Sequence, residues 1–188
     1  ARFRILRKAM KRFGFFVTAL FVMSAPLAAS AADFGVSGWI PYWAAKDGAR
    51  DAVNHLDTLT SVYPFSYSIS TDGKPKDLAD MKGSNWKKLL RDARAKGIPV
   101  IPTIMWSDTQ NIHKILSSQT LRAKHVAAIA DLVKTGKYDG IDIDYEGKLA
   151  ATRPYYSAFL KELKAKLGDA ILSCTIEPRT PPDSLYTV

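Results

Sequence analysis

Residues 139–146 read Asp139-Gly140-Ile141-Asp142-Ile143-Asp144-Tyr145-Glu146, a strict alternation of polar and apolar positions. Successive side chains of a β-strand point to opposite faces of the sheet, so this pattern predicts a strand with two different faces. One face carries Gly140 and the three acids that follow it. The other face carries Ile141, Ile143 and Tyr145, which we expect to pack against a layer of helices.

The three acids on one face follow one another at about 6.6 Å along the strand, from a rise of about 3.3 Å per residue. Ionised carboxylates at that spacing repel one another, so some should share protons and at least one pKa should rise. A carboxylic acid with a raised pKa at the carboxyl end of a strand is a suitable proton donor. The pattern therefore favours a catalytic site.

Two other interpretations fit the same residues. An edge strand exposed to solvent can carry alternating acids without any chemistry. The segment Asp142-x-Asp144-x-Glu146-Gly147 is also similar to the start of an EF-hand calcium loop, although the twelfth position of that loop, which should be acidic, is Arg153.

Segments rich in β-formers alternate with helical segments along the chain. The pattern predicts strands at 34–43, 61–70, 98–105, 138–146 and 170–177. It predicts helices at 47–59, 84–96, 120–134 and 152–167, with a shorter one at 111–116. Such alternation indicates an α/β fold of parallel strands, either an open doubly wound sheet or a (β/α)₈ barrel. No Gly-rich phosphate loop follows the first strand, which disfavours the nucleotide-binding doubly wound fold.

The first 31 residues are typical of a secretory signal peptide. Residues 1–12 contain six basic residues and no acid, an apolar run follows at 13–23, and small residues end in Ala28-Ala29-Ser30-Ala31. The apolar run is shorter than the roughly 20 residues that a membrane span requires. We therefore predict a signal peptide at 1–31, a mature segment at 32–188 without a stable membrane span, and a secreted, periplasmic or cell-envelope location.

The charge of the chain is set largely by that leading segment. The formal net charge is +9, and without the six leading basic residues 21 lysines and arginines remain against 18 acids, or +3. No basic stripe remains that would indicate a nucleic-acid partner. The one cysteine, Cys174, cannot form a disulfide within the chain, and the three histidines fall in predicted helices. A structural thiol is therefore the favoured interpretation of Cys174.

Residues 138–146, read as Tyr-Asp-Gly-Ile-Asp-Ile-Asp-Tyr-Glu, resemble the signature of family 18 glycoside hydrolases, which include chitinases and endo-β-N-acetylglucosaminidases. The resemblance extends more weakly over 34–177, through the strand order and the aromatic segment 38–43. It implies a (β/α)₈ TIM barrel with the signature on the fourth strand. Because a complete barrel takes about 250 residues, we expect about five of the eight strand–helix units, and we expect 32–188 alone to be inactive and poorly folded.

The resemblance also implies roles for the acids. Glu146 is the acid that protonates the departing oxygen, Asp144 orients the N-acetyl group of the substrate, and Asp142 passes charge or hydrogen bonds to Asp144. Asp139 and Gly140 begin the signature and serve structure. The implied reaction is hydrolysis of β-1,4-linked N-acetylglucosamine glycans, by a substrate-assisted retaining mechanism that requires no metal or organic cofactor.

The chain departs from common chitinases in two places, which leaves chitin, peptidoglycan and N-glycans open as substrates. Residues 103–106 read Thr-Ile-Met-Trp where many chitinases have a Gly-Gly pair, and Tyr145 stands where Trp is frequent. Further candidate substrate-binding residues are Trp39, Trp43, Trp106, Tyr145 and Glu177. Glu177 shares its strand parity with Ser173 and Thr175, but an ion pair with Arg179 is an equal alternative.

A carbohydrate-binding protein without catalysis is the alternative function, because the same barrel also serves lectins. Lectins of this kind generally lack the acid at the position of Glu146, so its presence favours an enzyme. A third class, a solute-binding or nucleotide protein on an open sheet, would have a different strand order.

Overall fold

The computed structural model describes residues 34–176 of the 188-residue chain. The predicted signal peptide and Glu177 lie outside the described residues. The strands are β1 (Ser37–Pro41), β2 (Ser61–Ile69), β3 (Pro75–Asp77), β4 (Thr103–Trp106), β5 (Gly140–Tyr145) and β6 (Ile171–Cys174). The helices are α1 (Ala45–Asn54), α2 (Ser84–Ala95), α3 (Thr109–Ser117), α4 (Gln119–Gly136) and α5 (Arg153–Leu167), with short 3₁₀ turns at Tyr42–Ala44 and Ala150–Thr152.

Five of the strands form a parallel sheet in the order β1-β2-β4-β5-β6. Each parallel strand lies beside the next one in the chain, and at least one helix connects each pair. An open doubly wound sheet would instead reverse its order at a central strand. The strand order therefore confirms part of a (β/α)₈ barrel and argues against the open-sheet alternative.

The alternation in β5 separates its two faces as predicted. Ile141, Ile143 and Tyr145 are fully buried in the core that the sheet forms with the helices. This side of the sheet is called the outer face below, and the side that carries Asp142 the inner face. Burial of each large apolar side chain contributes about 1.5–3 kcal/mol, so these residues hold the strand against the helical layer.

Gly140 begins β5 where the backbones of β5 and β6 approach closely. A Cβ atom built on Gly140 would lie 2.3 Å from the carbonyl oxygen of Ile171. The preceding residue also joins neighbouring strands, because Asp139 Oδ2 accepts a hydrogen bond of 2.8 Å from the Val100 amide. Both residues thus fix the start of the strand whose other end carries Glu146.

One element was absent from the sequence prediction. β3 pairs antiparallel with β2 through a turn at Gly73, whose φ is +83°, in the left-handed region that favours glycine. The Asp72-Gly73 pair is a common hairpin signal, but the strand is only three residues long. The carbonyl oxygen of Gly73, in the turn before β3, contacts His125, which in turn contacts Tyr145 of the acidic strand β5.

None of the helices in residues 34–176 combines the length and the apolar character that crossing a membrane requires.

Candidate active site

The acids of β5 lie along a gradient of exposure. Asp142 is 3% exposed and Asp144 is 5% exposed, whereas Glu146, just beyond the strand, is exposed. β5 pairs with β4 on one side and β6 on the other, so it is a central strand. The edge-strand interpretation is therefore wrong, and the strand conformation also rules out a calcium loop here. Buried carboxylates behind an exposed one suit a site that substrate approaches from the carboxyl edge.

Asp142 is held by hydroxyl groups from both neighbouring strands. Its Oδ2 accepts hydrogen bonds from Thr103 Oγ1 at 3.0 Å and Thr175 Oγ1 at 3.2 Å, and its Oδ1 accepts one from Ser173 Oγ at 2.8 Å. A buried carboxylate is costly unless its oxygens are satisfied. The three donors meet that requirement and fix the carboxylate on the inner face.

The backbone around Glu146 is fixed by contacts on both sides. The Glu146 amide donates to the Trp106 carbonyl oxygen at 2.9 Å. Gly147 turns the chain with a φ of +61°, and its carbonyl oxygen accepts from Thr109 Oγ1 at 2.7 Å. Lys148 Nζ then donates back to the carbonyl oxygen of Tyr145. These contacts define where the Glu146 carboxylate can reach.

Behind the strand, Tyr145 is bound to a buried histidine. Its hydroxyl lies 2.7 Å from His125 Nε2, and His125 Nδ1 lies 2.5 Å from the carbonyl oxygen of Gly73. A carbonyl only accepts, so Nδ1 carries the proton, and Nε2 of a neutral ring accepts from the Tyr145 hydroxyl. Burial lowers the pKa of His125 to about 4 and raises that of Tyr145 well above its ordinary value. Both groups are therefore neutral near pH 7.

This placement corrects two of the predicted substrate contacts. Tyr145 is fully buried, and Trp106 is 4% exposed and packs edge-on against the Tyr145 ring at 5.3 Å between centroids. Neither ring has a face available to a sugar. The register explains both cases, because Trp106 pairs with Tyr145 across β4 and β5 and shares its outer face.

Trp39 and Trp43 are the candidate sugar platforms that stay exposed, at 57% and 71%. The Trp43 ring lies edge-on to Phe65, with centroids 6.2 Å apart. β1 is parallel to the other strands, so the segment that follows Pro41 lies at the same edge of the sheet as Glu146. A cavity of about 320 Å³ also opens on the inner face, lined by Ser37, Gly38, Trp39, Tyr63, Asp142, Ser173 and Thr175.

The thiol of Cys174 lies 2.9 Å from the Tyr156 hydroxyl. Burial raises its pKa, which favours the protonated form. This agrees with a structural thiol. In residues 34–176, no three His, Cys, Asp or Glu side chains are grouped so that they could hold a metal ion.

Sequence reasoning missed several residues that support the site. Thr103 and Met105 are two residues apart and lie on the same face of β4. This alternation is a sequence signal that could have placed Thr103 beside Asp142. His125 follows the helical period of α4, but the period does not reveal its partners. Lys148 gave no signal at all, because a lysine two residues after Glu146 is ordinarily exposed to solvent.

Comparison with known proteins adds to this geometry. Residues 38–187 match the sequence profile of glycosyl hydrolases family 18. The chain is 35% identical over 156 residues to YdhD of Bacillus subtilis, a candidate sporulation-specific glycosylase, covering 77% of this chain and 36% of that protein.

Two solved structures are similar in fold. The C-terminal domain of a candidate chitinase from Desulfitobacterium hafniense superposes with a TM-score of 0.65 at 26% identity, covering 77% of this chain and 46% of that one. A class V chitinase from Pseudomonas fluorescens superposes with a TM-score of 0.67 at 23% identity, covering 77% and 45%. The chain therefore spans between about a third and a half of the length of these relatives.

Proposed function

The chain belongs to glycosyl hydrolases family 18, and from this premise we propose that the protein hydrolyses β-1,4-linked N-acetylglucosamine glycans with retention at the anomeric carbon. The observation that carries the proposal is the arrangement on β5. An exposed Glu146 stands at the carboxyl end of the strand, with Asp144 and Asp142 buried behind it on the same face.

In the proposed mechanism the substrate supplies its own nucleophile. The oxygen of the 2-acetamido group attacks the anomeric carbon while Glu146 donates a proton to the departing glycosidic oxygen. Asp144 stabilises the positive charge that grows on the acetamido nitrogen. Water then attacks the same carbon, Glu146 takes a proton from it, and two inversions give net retention. Proton transfer by a positioned acid contributes about 10²–10⁴-fold to such steps.

Asp142 supports this chemistry from its buried position two residues before Asp144 on the inner face of β5. Thr103, Ser173 and Thr175 donate to its two oxygens, so the carboxylate keeps one orientation. A fixed negative group on the same face as Asp144 favours the orientation of Asp144 in which it can meet a cationic acetamido group.

The proposed substrate class rests on the chemistry of the mechanism, and the names of the similar proteins support it. Chitin and peptidoglycan both contain β-1,4-linked sugars with 2-acetamido groups, and the similar proteins are named as chitinases and as a sporulation-specific glycosylase. Trp43 would stack on a sugar ring, because it is exposed and follows β1 at the edge of the sheet where Glu146 ends β5. Trp39 is exposed too, but it lies within β1 opposite Tyr63, further from that edge. Export through the segment 1–31 would bring the protein to either polymer in the cell envelope or outside it.

The decisive experiment uses the full-length protein with an N-acetylglucosamine oligomer, followed by proton NMR of the fresh products. The expected result is an initial β-anomer, loss of at least 10²-fold in rate for Glu146→Gln, and no cleavage of the deacetylated oligomer. Asp131→Asn, an exposed acid on α4, is the matched control and should keep full activity. An initial α-anomer, or cleavage of the deacetylated oligomer, contradicts substrate assistance. Binding without any released sugar would identify a lectin.

A further inference from the structure

His113 and Tyr155 form an aromatic pair beside the loop that follows Glu146. His113 lies on α3, which follows β4, and Tyr155 lies in the first turn of α5, which follows β5. Their ring centroids are 6.0 Å apart, with an interplanar angle of 70°. Because β4 and β5 are parallel neighbours, both residues come after the carboxyl ends of their strands, at the edge of the sheet that carries Glu146.

Two side chains on one face of α3 bind this loop at both of its ends. Thr109 Oγ1 donates to the carbonyl oxygen of Gly147 at 2.7 Å, and His113 Nδ1 lies 2.9 Å from Thr152 Oγ1. Residues four apart lie on the same face of a helix, about 6 Å from each other along its axis. The imidazole is therefore held about one helical turn from the residue that follows Glu146.

The bond to Thr152 fixes the orientation of the His113 ring. Thr152 is fully buried, and its amide donates to the carbonyl oxygen of Leu149 at 2.8 Å. A threonine hydroxyl can donate or accept, so it binds Nδ1 in either neutral tautomer of the ring, and Nε2 then takes the complementary role. A ring that is already fixed loses less conformational freedom when a ligand binds to it.

The pair keeps two polar atoms and part of a ring open to a ligand. Within residues 34–176, neither His113 Nε2 nor the Tyr155 hydroxyl has a hydrogen-bonding partner, and Nε2 is reached by solvent. Tyr155 is 37% exposed, whereas the hydroxyl of the adjacent Tyr156 is bound to Cys174. An aromatic surface with a few polar groups beside it is the usual composition of a site that binds a small ligand.

We propose that His113 and Tyr155 form a second contact for the glycan, in which the Tyr155 ring packs against one sugar and His113 Nε2 binds a hydroxyl or acetamido group. The inference rests on the proposed function and assigns a binding role to residues outside the signature at 138–146. Three strand spacings, or about 14 Å along the sheet, separate β1 from β5. Trp43, which follows β1, and this pair therefore contact different sugars of one chain.

The test measures the Kd of an N-acetylglucosamine hexasaccharide by calorimetry, with the full-length protein carrying Glu146→Gln so that binding is read without turnover. Tyr155→Phe removes only the hydroxyl. His113→Asn keeps an amide that can bond Thr152 but has no counterpart of Nε2. Each change should raise the Kd about three- to tenfold, as for the loss of one hydrogen bond. His55→Asn, at an exposed histidine after α1 whose Nδ1 is also bound locally, should leave the Kd unchanged.

Binding and cleavage are separate readouts, so the two proposals can fail independently. Weaker binding by both Tyr155→Phe and His113→Asn supports the inference even if the protein with Glu146 intact cleaves no glycan, in which case the proposed function alone fails. An unchanged Kd in both variants overturns the inference even in an active enzyme. An equal rise of the Kd in His55→Asn overturns it too, because the effect would then not belong to this pair.

Discussion

Acidification should weaken the fold through His125, the imidazole buried between α4, β5 and the Gly73 turn. The ring is 1% exposed, donates to the Gly73 carbonyl and accepts from Tyr145. A second proton on the ring would replace the acceptor that Tyr145 needs and place a charge in the core. The native state therefore resists protonation, while the unfolded state accepts a proton at the ordinary pKa.

The size of the stability loss follows from the difference between the pKa of His125 in the unfolded and native states. Burial lowers the pKa of His125 from 6.5 to about 4. As the pH falls below 6.5 the unfolded state gains a proton that the native state does not, so the free energy of unfolding declines until the pH reaches about 4 and then levels off. At about 1.36 kcal/mol per pKa unit the whole effect is about 3 kcal/mol, of which about 2 kcal/mol falls between pH 7.5 and pH 5. That is a large share of a typical stability of about 5–15 kcal/mol.

Urea unfolding of the full-length protein at pH 7.5 and pH 5 measures this loss. His125→Gln offers both a donor and an acceptor but does not titrate, so its stability should fall by about 2 kcal/mol less than that of the wild type over the same interval. Other titrating groups cancel in this comparison. His55→Gln, at an exposed position after α1, should behave as the wild type does. Equal pH dependence in wild type and His125→Gln would refute the reasoning.

Three further predictions concern the strand and its surroundings. Gly140→Ala should destabilise the protein by about 1–3 kcal/mol in urea unfolding, because the new Cβ would meet the Ile171 carbonyl oxygen at 2.3 Å; an unchanged midpoint would contradict that close approach. Thr103→Val keeps the shape but removes the 3.0 Å hydrogen bond to Asp142, so kcat should fall about tenfold, for a loss of roughly 1.5 kcal/mol; full activity would show that this donor is dispensable. Trp43→Ala removes a ring that is 71% exposed, so KM for long oligomers should rise several-fold while kcat and the unfolding midpoint stay constant. A KM equal to that of the wild type would exclude Trp43 as a sugar platform.

Much of the architecture could be read from the chain because it depends on local patterns. The alternation at 139–146 assigned Ile141, Ile143 and Tyr145 to the helical side, and the structure confirms this. The spacing of apolar residues located the helices that separate the parallel strands, with boundaries shifted by a few residues. The order of those strands was a different matter, since periodicity alone left an open sheet and a barrel as alternatives.

The contacts that complete the site are non-local, and this explains why they escaped prediction. The hydroxyl donors to Asp142 are 31, 33 and 39 residues away in sequence, and they meet it only because β4 and β6 are its neighbours in the sheet. His125 reaches Gly73 across 52 residues, through a three-residue hairpin strand that local pattern was too weak to reveal.

The sequence established which side chains share a face of β5, because a period of two is a property of the extended backbone itself. It could not establish what lies opposite each face. Trp106 was predicted to contact the substrate and is enclosed, while Lys148, a residue of a type that is ordinarily exposed, is buried. Exposure and charge balance are set by the neighbours that a residue acquires when distant segments pack together, and these became defined only in the tertiary structure.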